Sequence, residues 1–148
     1  MSFNVVVIDY GMGNLKSVQR GLEKVGANVI ISSQADEIVN ADRLLLPGVG
    51  AFKEGMTELT KQGVIEAIHT FVNSGKPLLG ICLGMQMFLD SSEEHGAHAG
   101  FGLIPGHVQA IPQFENEQLQ RKIPHIGWTN LIAHDEYSGW SNTCLSQV

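Results

Sequence analysis

A doubly wound, mostly parallel α/β sheet is the fold this sequence predicts, and three observations predict it. Through about residue 90, short apolar runs alternate with stretches of helical spacing. The runs are continuous rather than alternating, as expected of strands buried on both faces. Their connections are short, and short right-handed crossovers make neighbouring strands parallel.

Taken in order, the apolar run at residues 4–8 reads as the first strand and breaks at Asp9-Tyr10-Gly11. Leu15, Val18, Leu22 and Val25 then recur three and four apart and stop at Gly26, a residue suited to ending a helix. Residues 28–31 and 43–46 supply the second and third strands. Val64, Ile65, Ile68, Phe71 and Val72 form another helical stripe, closed by Ser74-Gly75, and residues 77–81 form the fourth strand. Leu83, Met87 and Phe88 make a shorter stripe directly after it. Beyond Asp90 the pattern changes. Residues 91–100 read as a polar loop, 107–111 and 126–132 as strands of an antiparallel extension, and 114–122 as a polar excursion; 138–148 show no closing element.

A length of 148 residues fits a single domain. With 43% apolar and 16% charged residues, the chain is neither disordered nor a polyelectrolyte. Fifteen acids against nine bases give a net charge of −6, which argues against a nucleic-acid partner. Two cysteines, Cys82 and Cys144, are too few for a disulfide framework. The amino terminus lacks the basic region of a signal peptide, and no window has the length of a membrane span. The expectation is a cytoplasmic protein with no membrane partner.

The strongest chemical signal is Leu79-Gly80-Ile81-Cys82-Leu83-Gly84-Met85-Gln86. A buried strand runs straight into a helix, with a cysteine at the junction and a glycine two residues to either side. This is the sulfur form of the nucleophile elbow: a sharp turn exposes the side chain, and glycines let backbone approach. A helix start beside the sulfur offers free N–H groups and favours thiolate. An inert cysteine filling a strand–helix corner is the plainer alternative. Leu46-Pro47-Gly48-Val49-Gly50-Ala51-Phe52 also follows a strand. On its own it is an ordinary glycine-rich turn. Paired with the elbow at the carboxyl ends of parallel strands, it can turn N–H groups toward an oxyanion. Asp9-Tyr10-Gly11-Met12-Gly13-Asn14-Leu15 opens like a dinucleotide fingerprint, but Lys16 stands where the third glycine belongs, so it reads as a tight turn lining a cleft. His95 and His98 lie among small residues without metal-ligand spacing, so no metal site is expected.

These three motifs, with Ile123-Pro124-His125-Ile126-Gly127-Trp128, occur in an order that resembles the glutaminase subunits of imidazole glycerol phosphate synthase. Those are triad-type, class I glutamine amidotransferases of histidine biosynthesis with a flavodoxin-like fold. The resemblance implies that Cys82 attacks the side-chain amide of glutamine. It implies that N–H groups of Gly48, Val49, Gly50 and Leu83 hold the oxyanion, and that Gln86 positions the substrate. It implies no cofactor, and a (β/α)8-barrel synthase subunit as heterodimer partner and receiver of the ammonia. Gly11, Met12, Gly13, Asn14, His125 and Trp128 fall near that interface. A sister branch, which amidates a sugar for surface polysaccharide, shares the motifs. The family carries its catalytic His and Glu in a His-Pro-Glu motif near the C-terminus. This sequence contains no His-Pro-Glu, and the setting of His134 and Glu136, Ala133-His134-Asp135-Glu136-Tyr137, does not match it. The expectation is a single amidotransferase domain over residues 1–148, cut short, with little glutaminase activity of its own. Two other readings are a non-catalytic interaction module and a different elbow enzyme, such as a cysteine hydrolase or redox sensor.

Overall fold

The computed structural model describes residues 3–112, 114–115, 119–120, 124, 126–132 and 140. They fall into two compact units, Met1–Ala110 and Ile111–Val148.

In the first unit, β1 (Phe3–Ile8), β2 (Ala27–Ser32), β3 (Leu44–Leu46) and β4 (Leu78–Gly80) form a fully parallel sheet in the order β2-β1-β3-β4. α1 (Leu15–Lys24) carries the chain from β1 to β2 on one side, and α2 (Ala35–Asn40) brings it back across to β3 on the other. α3 (Phe52–Gln62) and α4 (Ile65–Asn73) lead to β4, and the short α5 (Leu83–Met87) follows it. The winding therefore reverses between β1 and β3, so the loops leaving these two strands emerge side by side. In open parallel sheets that is where ligand sites form.

Both faces of the central strands β1 and β3 are packed, which is why these read as continuous apolar runs. Val6, Ile8, Leu44 and Leu46 point to one face and meet Ile38, Phe52, Leu59, Ile68, Phe71, Leu83 and Met87. Val5, Val7 and Leu45 point to the other and meet Leu15, Val18 and Leu22 of α1. Local chemistry sets the helix ends. The Asn14 side chain accepts from the Ser17 N–H at 3.2 Å to start α1, and Gly63, at φ 69°, lets α3 stop in the left-handed region.

The structure departs from the sequence reading in several places. α2 and α3 were not legible as helices: α2 has six residues, and α3 spaces Phe52, Met56 and Leu59 around a buried glycine. Val25 lies past the end of α1 and is exposed, so the apolar stripe of α1 ends at Leu22. Residues 91–100 are not one loop. β5 (Leu89–Ser92), β6 (His98–Ala99) and β7 (Ile104–Val108) form a sheet in the order β6-β5-β7. The sheet is mixed rather than antiparallel, because β5 runs parallel to β7. Backbone contacts no side-chain pattern reports drive it: the N–H groups of Gly100, Phe101 and Leu103 donate to the carbonyls of Asp90, Met87 and Phe88. β7 starts earlier than expected and includes Pro105, tolerated on an edge strand.

In the second unit, β8 (Phe114–Glu115) and β9 (Leu119–Gln120) pair antiparallel within the expected polar excursion. Residues 126–132 form no strand and have no ladder partner among the described residues. They are exposed, with Trp128 at 104%. Residues 138–148, apart from Trp140, lie outside the described residues, as do His125, His134 and Glu136. Among the described residues no helix is long and apolar enough to cross a membrane.

Candidate active site

β4 delivers the chain to Cys82 with its last strand-like bond in place: the Ile81 N–H donates to the Leu46 carbonyl at 3.0 Å. Cys82 then adopts φ 54°, ψ −114°, a conformation that residues with a Cβ avoid. Such strain costs on the order of 1–3 kcal/mol and persists only where the surroundings enforce it. Here α5 enforces it, beginning at the next residue, while the Cys82 carbonyl accepts from the Gln86 N–H at 3.1 Å. The thiol is free and its residue exposed. The sulfur is presented, not buried for packing.

The flanking glycines have a steric reason. A Cβ on Gly84 would lie 2.0 Å from the Leu46 carbonyl oxygen, and one on Gly80 would lie 2.6 Å from the Met85 nitrogen. α5 is therefore laid directly on the end of β3. With only five residues, α5 has little macrodipole; what it brings to Cys82 is the N–H of Leu83, which has no acceptor among the described residues.

The loop after β3 lies against this elbow. A Cβ on Gly48 would fall 2.8 Å from Leu83 Cβ and 2.9 Å from the Gly84 nitrogen, so only glycine lets the two backbones meet. Gly50 takes φ 100°, in the glycine-favoured region. None of the N–H groups of Gly48, Val49 and Gly50 finds an acceptor among the described residues. Gly48 is buried and Val49 and Gly50 are exposed. Glu94 closes the loop's far end: its carboxylate accepts from the Phe52 N–H at 2.8 Å, satisfying the start of α3.

The loop after β1 packs on the same place. The Gly11 N–H donates to Asp9 Oδ1 at 3.1 Å, making the expected tight turn. Met12 Cε would be 2.9 Å from a Cβ on Gly50, and Pro47 Cγ 3.2 Å from one on Gly13. Gly11, Met12, Gly13 and Asn14 thus adjoin the glycine loop, and Asn14 caps α1. Gln86 lines a cavity of about 340 Å³ with Glu93, Glu94 and Val108. The structure so gathers Cys82, Leu83, Gly48 and the 11–14 turn around one corner, with Gln86 one helical turn from the sulfur. Trp128 belongs to the second unit and is exposed there.

Two residues at this corner went unread in the sequence. Tyr10 is 1% exposed, and its hydroxyl donates to the Pro47 carbonyl at 2.8 Å. Its pKa is raised from 10.0 to about 12, chiefly by burial and secondly by the charge of Cys82. The period-two register with Val6 and Ile8 points it at this core and was signal enough to find it. Glu94 sits in the segment read as a loop, and its pairing with Phe52 had no local signal. The reading of His98 as part of a polar loop is also corrected. It lies in β6, and its Nε2 is buried without a hydrogen-bond partner among the described residues.

A strained, exposed cysteine at the end of β4, with a glycine loop whose N–H groups have no acceptor among the described residues packed on its elbow, is an arrangement that can carry acyl-transfer chemistry. The family model "Glutamine amidotransferase class-I" matches residues 6–146, and the chain belongs to that family. Within it, the chain is similar to proteins named "Imidazole glycerol phosphate synthase subunit HisH". It is 49% identical to one from Legionella pneumophila (strain Lens) over 145 residues, 98% of this chain and 68% of that protein. It is 48% identical to one from Bacillus licheniformis over 128 residues, 86% of this chain and 60% of that protein. The chain thus spans about two thirds of the length of these relatives. A crystal structure of a peptidase E protein from Listeria monocytogenes shares the fold: TM-score 0.52 and 16% identity over 60% of this chain and 50% of that one. The predicted fold, family and enzyme class are borne out.

Proposed function

We propose that this chain carries the nucleophile half of a glutaminase that feeds ammonia to a synthase subunit making imidazole glycerol phosphate in histidine biosynthesis. The observation that carries the reading is Cys82 held at φ 54° next to Leu83, with the Gly48 backbone packed on that elbow and the N–H groups of Gly48, Val49, Gly50 and Leu83 without an acceptor among the described residues. The Cys82 thiolate adds to the side-chain carbonyl carbon of glutamine, and the oxygen takes up the negative charge. N–H groups from Gly48, Val49, Gly50 and Leu83 stabilise that oxyanion, an interaction worth about 3–4 kcal/mol per donor in other enzymes. The C–N bond then breaks, the leaving nitrogen takes a proton as ammonia, and a thioester remains on sulfur. Water cleaves the thioester, returning the thiol and releasing glutamate. Gln86 and the carboxylates of Glu93 and Glu94 line the cavity that receives the amino-acid end, where an acid suits the substrate's ammonium group.

The proton transfers need a base and an acid, and the 148 residues hold no His-Pro-Glu. Capture of the thiol by an electrophile needs no protonated leaving amine, so it tests the nucleophile on its own. The partner is a (β/α)8-barrel synthase subunit in a heterodimer, with the 11–14 turn, His125 and Trp128 at the interface and a cytoplasmic setting. Ile126, Trp128, Leu131 and Ile132, four large apolar side chains exposed within seven residues of chain, support such docking.

The test is covalent capture. A chloromethyl ketone shaped like glutamine is expected to label Cys82, as read by peptide mass spectrometry. Excess glutamine should protect it, and Cys82→Ala should abolish the label. Labelling no faster than by a generic alkylating reagent, or without protection by glutamine, overturns the reading.

A further inference from the structure

We propose that Tyr10 is a positioning residue for the oxyanion loop: its buried hydroxyl holds the Pro47 carbonyl and so sets which way the Gly48 N–H is presented beside Cys82. The proposal rests on Cys82 acting as the amide-attacking nucleophile. Among the described residues, Tyr10 carries the only oxygen or nitrogen of the largest fully buried side chains, and a hydroxyl stripped of water needs a partner. It finds one 37 residues away, at 2.8 Å, in the first peptide of the glycine loop. In a planar trans peptide the carbonyl and the following N–H point in opposite directions. With the Pro47 oxygen turned to Tyr10, the Gly48 N–H is turned away from it.

A second contact makes the pin specific. The Tyr10 hydroxyl lies 2.7 Å from where a Gly48 Cβ would stand, so the phenol reaches the carbonyl only because residue 48 has no side chain. That same lack leaves a Gly-Val-Gly loop free to rotate its peptides. The phenol supplies the restraint that the glycines give up. It also stays a neutral donor up to about pH 12, because burial and the neighbouring sulfur both favour its protonated form.

The experiment measures capture of Cys82 by the glutamine-shaped chloromethyl ketone, resolved into a saturation constant and a maximal rate, alongside alkylation by iodoacetamide. Tyr10→Phe keeps the ring and removes the donor. Expected are a maximal ketone rate reduced about ten-fold, a fraction of what losing an oxyanion donor costs, an unchanged saturation constant and unchanged iodoacetamide reactivity. A merely structural role would slow both reagents together, and that result, or no slowing at all, overturns the proposal. Should Tyr10→Phe fail to fold, difluorotyrosine at position 10 ionises at lower pH and stops donating there. The ketone rate, normalised to iodoacetamide, must then fall at lower pH than in the unsubstituted protein, and a superimposable profile overturns the proposal. If the unsubstituted protein shows no glutamine-protected capture, the glutaminase reading fails instead.

Discussion

The two faces of the parallel sheet are built to different standards. On one, four helices seal Val6, Ile8, Leu44 and Leu46, and the elbow and glycine loop grow out of that sealed side. On the other, α1 is the one helix among the described residues that covers Val5, Val7 and Leu45. Leu79 of β4 and Ile81 beside it remain 53% and 41% exposed, edging a hollow of about 370 Å³. Strain needs rigid support, because a residue at φ 54° relaxes unless packing over-determines it. The chemistry therefore sits where packing is complete, and the open face bears none of that strain.

The largest effect that comparison predicts is at Gly84. A methyl there meets the Leu46 carbonyl at 2.0 Å and its carbon at 2.8 Å, both backbone atoms of a buried strand. Neither can step aside without breaking β3 from α5. Gly84→Ala should cost about 3 kcal/mol or more, the upper range for overpacking, read as a drop in the urea midpoint. Selective capture of Cys82 should be lost with it. A variant of normal stability would show that the closed face is softer than its packing implies.

A smaller effect on the same face follows from the sign of the Tyr10 shift. Its folded pKa is raised from 10.0 to about 12, so the folded state keeps a proton that the unfolded chain releases between those values. The associated stability is fully present below pH 10 and is lost as pH climbs toward 12. The loss amounts to on the order of 3 kcal/mol at most. Urea midpoints at rising pH, compared between the protein and Tyr10→Phe, should converge over that window. Parallel curves would mean that the phenol is less enclosed than its burial indicates.

The same contrast explains what was legible. Strands of a parallel sheet announce themselves as apolar runs, and all four appeared at nearly their true positions, as did the elbow, whose glycines flank the cysteine at fixed spacing. α2 and α3 escaped because short helices with three or fewer core-facing apolar residues resemble polar connections. β5 and β6 escaped because they are ordered by backbone bonds from Gly100, Phe101 and Leu103 to the end of α5. Glu94 serves the glycine loop from 42 residues away, and no spacing rule spans such a distance. Tyr10 is the instructive miss: the register with Val6 and Ile8 placed it in the core, but its hydroxyl had meaning only once Pro47 was seen beside it.

The smallest effect belongs to the open face and has the opposite sign. Gly21 lies inside α1, where glycine is unfavourable by about 1 kcal/mol relative to alanine. A Cβ there would meet nothing within 4 Å, and Gly21 borders the hollow with Val18, Leu22 and Leu79. Its φ is not in the left-handed region, so alanine fits the existing backbone. Gly21→Ala should therefore raise stability by about 0.5–1 kcal/mol, mainly by reducing the freedom of the unfolded chain. The urea midpoint should rise while the rate of Cys82 capture stays the same, because Gly21 lies about two turns along α1 from the Asn14 cap that adjoins the site. Destabilisation would mean that the space beside Gly21 is filled in solution, and the contrast between an open and a closed face would fall with it.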